Sequence, residues 1–309
     1  MKKGWILVGM FVFGMSAVSC GKKNEAGKGG AAAKESSAQV VASVEKELGE
    51  KPKIHVAVNL ASVKESPLYS MLKDALEKEI GQKECAKKAV ESAESMVILG
   101  STKSLGGAVK DDSGNAKNDE NIYMVLKSAD AKAMLACMKE SKEGIQDAKL
   151  NGADVLSFEK DGQTGYVWAA SDKAIVMVAG PWAQKVTPGK GATGKGEIAS
   201  MAGSKSIAFS VSDLDEVKEA SGIVDLAKGL MLDVSVTLKE EAKAKDYEKK
   251  FQESKKQADQ IPIPGLADIV KSIKFSRNGA VIGVQLTVSA DQLKQLMSIA
   301  KGMGGGLGM

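Results

Sequence analysis

The chain has 309 residues, with 43 Lys or Arg against 39 Asp or Glu and one histidine, for a formal net charge of +4. Such a balance argues against nucleic acid as a partner, since that would call for a clustered basic face. Six Phe, four Tyr and three Trp leave little aromatic surface for stacking sugars or bases, while fourteen Met point to aliphatic, sulfur-rich cores.

Lys2 and Lys3 open the chain and are followed by an uncharged apolar stretch from Gly4 to Val18. This is the layout of a secretory signal. The stretch is too short to span a bilayer comfortably, because a spanning helix needs about 20 apolar residues. Ala17-Val18-Ser19-Cys20 then places small residues ahead of a cysteine. It resembles the lipobox of bacterial lipoproteins, with Ala17 where that family prefers Leu. The resemblance implies removal of residues 1–19 and a lipidated Cys20 at the new N-terminus, carrying acyl chains of the palmitate kind. The partner is then a membrane. Gly21, in place of the retention Asp of enteric sorting, implies the outer membrane over the inner one. Loss of the signal leaves 41 basic and 39 acidic residues, a net charge of +2.

Residues 20–50 read as the lipidated cysteine and a flexible tether. They are rich in Lys, Gly, Ala, Ser and Glu and hold no aromatic, with at most a frayed helix from Ser43 to Leu48.

From Lys53 the apolar residues Ile54, Val56, Val58 and Leu60 alternate with His55, Ala57 and Asn59, the period of a strand with one buried face. Ser66-Pro67 starts a helix with Leu68, Met71, Leu72, Ala75, Leu76 and Ile80 on one side. A second helix is expected from Glu84 to Ala93. Strands follow at Ser95 to Ser101 and Asn121 to Lys127, around a polar loop from Val109 to Glu120. Ser128-Ala129-Asp130 leads into a helix with Ala131, Met134, Leu135 and Met138 on one face. The same order returns near the C-terminus as a strand from Val281 to Val288, Ser289-Ala290-Asp291, and a helix with Leu293, Leu296, Met297 and Ala300. In both places Ser can cap the helix while Asp suits its positive end.

Ser206 to Leu214 reads as a strand followed by a helix from Asp215 to Ala227, matching the pair that begins at Lys53. Val270 to Ser276, turning at Arg277-Asn278-Gly279, matches the strand at Ser95, with Asn-Gly as a hairpin signal. The expected fold is therefore α+β. Two tandem β-α-β-β-α repeats, at 51–188 and 197–303, would have mostly antiparallel sheets with helices packed on them. The first repeat adds strands at Asp154 to Glu159, Gly165 to Ala170 and Ala174 to Ala179. The second adds a strand from Leu230 to Leu238 and a charged helix from Lys239 to Gln260. Pro188 to Gly196 reads as the linker between halves, and 304–309 as a Gly-rich tail.

Cys85 and Cys137 remain after Cys20 is set aside, an even number in an exported chain. A disulfide and two buried free thiols are both open readings.

No catalytic, cofactor-binding or metal constellation is recognisable. Gly189 to Gly196 approaches the phosphate-binding pattern G-x-x-x-x-G-K-[ST], but Gly196 stands where a hydroxyl is required and no strand immediately precedes it. His55 lacks a second histidine for a zinc site. Asp213, Asp215 and Glu216 form the densest acid group, and they suit a helix start. Tyr166 and Trp168 share one face of a strand, as core packing or as an exposed patch.

Several features together resemble uncharacterised envelope lipoproteins of the myxobacterial type. They are the strand before Ser66-Pro67-Leu68, Cys85 ahead of a strand, Cys137 in the next helix, and Gly165-Tyr166-Val167-Trp168 before the strand at Ala174. The resemblance implies the fold and the pairing of Cys85 with Cys137, and no activity. The function these observations point to is a membrane-anchored, non-catalytic module that binds or scaffolds an envelope protein or a small apolar ligand. The competing reading is an exported hydrolase using an Asp/Glu acid–base pair.

Overall fold

The computed structural model describes residues 37–70, 73, 84–101, 121–140, 144–160, 162–197, 203–258 and 265–302. The signal segment, Cys20, the loop at 109–120 and the tail at 304–309 lie outside the described residues.

Twelve strands form a single sheet, and every neighbouring pair is antiparallel. In chain order they are β1 (Ile54–Asn59), β2 (Ala93–Gly100), β3 (Ile122–Ser128), β4 (Ile145–Leu150), β5 (Ala153–Lys160) and β6 (Gln163–Ser171). Then follow β7 (Ala174–Ala179), β8 (Ile207–Leu214), β9 (Val217–Asp225), β10 (Gly229–Leu238), β11 (Lys274–Asn278) and β12 (Val281–Ser289). Across the sheet the order is β11-β12-β10-β9-β8-β1-β2-β3-β7-β6-β5-β4. The halves meet where β1 pairs with β8, His55 opposite Ser210 and Ala57 opposite Ala208. They therefore join as one continuous sheet, not across a groove.

The helices are α1 (Ser37–Leu48), α2 (Leu60–Lys64), α3 (Glu84–Ser92), α4 (Ala131–Glu140), α5 (Gly191–Lys195), α6 (Glu241–Lys256), α7 (Leu266–Ser272) and α8 (Ala290–Gly302), with a 3₁₀ turn at Gly180–Lys185. One sheet face carries the main core. Ala57, Val97, Leu99, Tyr123, Val125, Trp168, Val176 and Val178 pack there against Val44 and Leu48 of α1, Trp182 and Ala183 of the 3₁₀ turn, and Ala192 of α5. On the opposite face α4 sets Ala131 and Met134 on Leu156, Phe158, Val167 and Ile175. That face continues through Val58, Val63, Val224 and Leu226 to Val236, Leu238, Ile282 and Ala244 of α6.

Both faces of β1 are thus covered. Its expected polar side holds buried His55, whose Nε2 donates to the Pro52 carbonyl at 3.0 Å, and fully buried Ala57. In the second half the main-core face turns polar. Ser210, Ser221, Ser235, Gly283 and Ser276 form one straight register row across β8, β9, β10, β12 and β11. Small hydroxyls on one side and aliphatics on the other is the composition of an antiparallel sheet with one wet face.

Several expectations need correction. Asp215 to Ala227 is not a helix; the chain turns at Asp215-Glu216 and returns as β9, paired on both sides. Residues 37–48 are not tether, because α1 buries Val44 and Leu48 completely. Pro188 to Gly196 is not a linker either, since Ala192 and Thr193 of α5 are buried. The expected strand at Val270 is the end of α7, and β11 starts at Lys274. The turn there is Gly279-Ala280, with Asn278 already paired to Val281. β4 went unpredicted; it is joined to β5 by Asn151-Gly152, both at positive φ.

The two Ser-Ala-Asp triplets cap by different means. Before α4 the cap is Asp130, whose Oδ1 accepts from Ala133 N at 2.9 Å, while Ser128 Oγ faces Ser92 Oγ at 2.9 Å. Before α8 it is Ser289, which accepts from Gln292 N at 3.2 Å as Gln292 accepts from Ser289 N at 2.9 Å. That reciprocal pair is a capping box.

Candidate functional site

A polar cluster lies between α1, the 3₁₀ turn and α5. Glu47, one residue before the end of α1, turns its carboxylate onto the start of α5. Oε1 accepts from Ala192 N at 2.6 Å, and Oε2 accepts from Thr193 N at 3.0 Å and from the Thr193 hydroxyl. A helix start leaves N–H groups without intrahelical partners and favours negative charge. Here the chain supplies that charge itself. The stretch that resembled a phosphate loop is therefore closed, because a carboxylate occupies the donors an anion would need.

Glycine makes the approach feasible. A Cβ on Gly191 would lie 2.1 Å from Glu47 Oε1, and its φ is +60°. One on Gly194 would lie 2.1 Å from the Thr187 carbonyl. Beneath, Tyr123 donates from its hydroxyl to the Thr193 carbonyl at 2.6 Å, and Trp168 donates from Nε1 to the Gly194 carbonyl at 3.2 Å. Burial, with the Glu47 and Glu197 charges adding to it, pushes the Tyr123 phenol far above its usual value, so it stays protonated and donating. Glu50 accepts from Trp182 Nε1 and, at 3.4 Å, from Asn121 Nδ2. Lys185 donates to the Leu48 carbonyl at the end of α1. Glu47 and the Leu48 carbonyl tie α1 to α5 and the 3₁₀ turn, while Tyr123 and Trp168 tie α5 to the sheet.

The acid group runs from Asp213 at the end of β8 to Asp215 and Glu216 in the β8–β9 turn, and Asp213 and Asp215 have φ of +55° and +20°. Asp213 takes Lys53 at 2.7 Å and Lys239 at 3.0 Å. Hydrogen bonds from Lys53 and then Lys239 hold its carboxyl at about 2. Glu216 is likewise held low by the hydrogen bond from Lys243, and also meets the Tyr247 hydroxyl at 3.3 Å. Arg277 closes a third contact, to Glu248 at 2.6 Å, beside the stacked rings of Phe251 and Phe275, whose centroids are 4.8 Å apart. Burial lowers Lys64, and it donates to the Glu91 carbonyl at 2.7 Å and to that of Ala93, closing the end of α3.

Tyr166 and Trp168 both face the main core. Cys137 lies on α4, which packs against α3, where Cys85 stands. No group of three or more His, Cys, Asp or Glu suited to a metal occurs among the described residues. No described helix is long and apolar enough to cross a membrane. The sequence pointed to Trp168 and to the acids near Asp213, but not to Glu47, whose only local signal is Val40, Val44 and Leu48 at four-residue spacing around it.

No family model and no curated relative matches the chain. Among solved structures it is similar to crystal form I of TP0453, with a TM-score of 0.42 and 11% identity, over 82% of this chain and 95% of that one.

Proposed function

We propose that the chain is a bacterial envelope lipoprotein, cleaved before Cys20 and held to a membrane, the outer one by preference, through lipid on that residue. Its folded body is a non-catalytic module that binds or scaffolds another envelope protein. Ala17-Val18-Ser19-Cys20 behind a lysine-led apolar stretch carries the anchor reading. Stable attachment takes more than one chain at about 0.8 kcal/mol per buried CH₂, which a lipidated N-terminal cysteine meets.

The body's acids support the second part. Glu47, Glu50, Asp213 and Glu216 each accept from donors within the fold. A hydrolase would instead keep a carboxylate in reach of a substrate proton. Because β1 and β8 are hydrogen-bonded neighbours, a protein partner fits better than a small apolar ligand lodged between the halves.

Duplication is part of the same reading. Outward from the β1–β8 pair, one side runs β1-β2-β3-β7-β6 and the other β8-β9-β10-β12-β11. Each begins with three strands that neighbour one another in turn and ends with a strand that returns beside the third: β7 beside β3 after α4, β4, β5 and β6, and β12 beside β10 after α6, α7 and β11. In this alignment β3 corresponds to β10 and α4 to α6, not to β12 and α8 as the two Ser-Ala-Asp triplets suggest. Cys137 and Cys85, on the neighbouring helices α4 and α3, are proposed to form a disulfide.

Metabolic labelling with palmitate followed by cell fractionation tests the anchor. Label and membrane association in the wild type, both lost in Cys20→Ser, support it; a Cys20→Ser protein that is processed and stays in the membrane fraction overturns it.

A further inference from the structure

The chain holds two Asn-Gly pairs at hairpin ends, Asn151-Gly152 and Asn278-Gly279. Asn-Gly is chemically labile because the glycine nitrogen, unshielded by a side chain, can attack the asparagine Cγ. The new C–N bond closes a five-membered succinimide as the side-chain nitrogen departs as ammonia. Water then opens the ring at either carbonyl, leaving aspartyl or isoaspartyl.

The structure separates the two sites. At Asn151 the side-chain amide is held, donating to the Val186 carbonyl at 2.6 Å and to those of Ala183 and Gln184 at 3.4 Å. Cyclisation must pull this amide off those acceptors, and the product would set a carboxylate against three carbonyl oxygens. Asn278 ends edge strand β11, is exposed, and makes no side-chain hydrogen bond within the described residues. Gly279 and Gly152 both have positive φ, +59° and +87°, with nothing within 4 Å of where a Cβ would be, so the side-chain contacts of the asparagines are what separates the sites. We propose that Asn278 is a site of spontaneous deamidation in the folded protein and that Asn151 is protected by its contacts with residues 183–186. The converted site adds a negative charge at the outer edge of the sheet, beside Arg277.

The test incubates the folded chain at mildly alkaline pH in heavy-oxygen water, then maps chymotryptic peptides by mass spectrometry. A parallel sample is kept unfolded in urea. Having to give up its hydrogen bond to the Val186 carbonyl slows cyclisation at Asn151 about tenfold, so Asn278 should convert about ten times faster than Asn151 in the folded chain. In urea the two rates should converge, and Asn278→Gln should abolish conversion at that position. Equal rates in the folded chain, faster conversion at Asn151, or a position 278 that converts only in urea would overturn the proposal.

Discussion

Replacing Glu47 by Ala removes the acceptor for two backbone N–H groups and one hydroxyl at the start of α5. Hydrogen bonds to charged groups contribute about 1.5–3 kcal/mol each, and a buried donor left without a partner costs about 1–3 kcal/mol. Thr193 is fully buried. Water can reach the half-buried carboxylate site, so the expected loss is about 2–4 kcal/mol, a large part of a stability of about 5–15 kcal/mol. Glu47→Gln keeps one acceptor and should lose less. Gly191→Ala alone should cost about 1–3 kcal/mol, because its Cβ collides with Glu47. Joined to Glu47→Ala, it should cost less than the sum, since the collision partner is gone. Urea unfolding followed by the fluorescence of buried Trp168 and Trp182 reads these values as midpoint shifts at constant slope. A Glu47→Ala loss under about 0.5 kcal/mol, or strict additivity, would refute the idea that α1 is fastened through this carboxylate.

Asp213 titrates low in the folded chain, so its ion pairs stabilise above the unfolded value of about 3.9. That contribution is lost as pH falls toward about 2. The urea midpoint should therefore drop between pH 4 and 2, and drop less in Asp213→Asn; equal slopes would refute the assignment. A Cβ on Gly165 would lie 2.1 Å from the Phe158 ring, so Gly165→Ala should cost about 1–3 kcal/mol, and Phe158→Leu should relieve part of it in the same urea assay. Joining Cys85 to Cys137 should contribute about 4 kcal/mol in the chain-entropy account. Cys85→Ser and reduction of the wild type should then lower the midpoint equally, while two titratable thiols in the native protein would rule the pairing out.

How much of this fold the sequence displayed depended on whether local pattern and tertiary pairing agreed. Where they did, the reading held. β10 was legible because Leu230, Leu232, Val234, Val236 and Leu238 alternate with Met231, Asp233, Ser235 and Thr237. β9 was missed for a physical reason. Its register with β10 shifts by one between Thr237 and Leu238, so Val217 and Val224 reach the same side of the sheet seven residues apart, a helical spacing. The glycines at 189–196 looked like a linker, yet Gly191 and Gly194 are small because a carboxylate and a carbonyl press against them. α1 was hidden by the polar composition around it, though Val44 and Leu48 are fully buried. His55 looked solvated because one covered face was expected, and β1 has two. The candidate site was legible only in pieces, since Glu47 and Thr193 meet across 146 residues of chain.

The lipid on Cys20 is the central claim, and the intact mass of the protein purified from the membrane fraction tests it most directly. The account predicts a chain that begins at Cys20 and carries the added mass of a diacylglycerol on its sulfur. A chain that begins elsewhere, or one that begins at Cys20 without lipid, would contradict it.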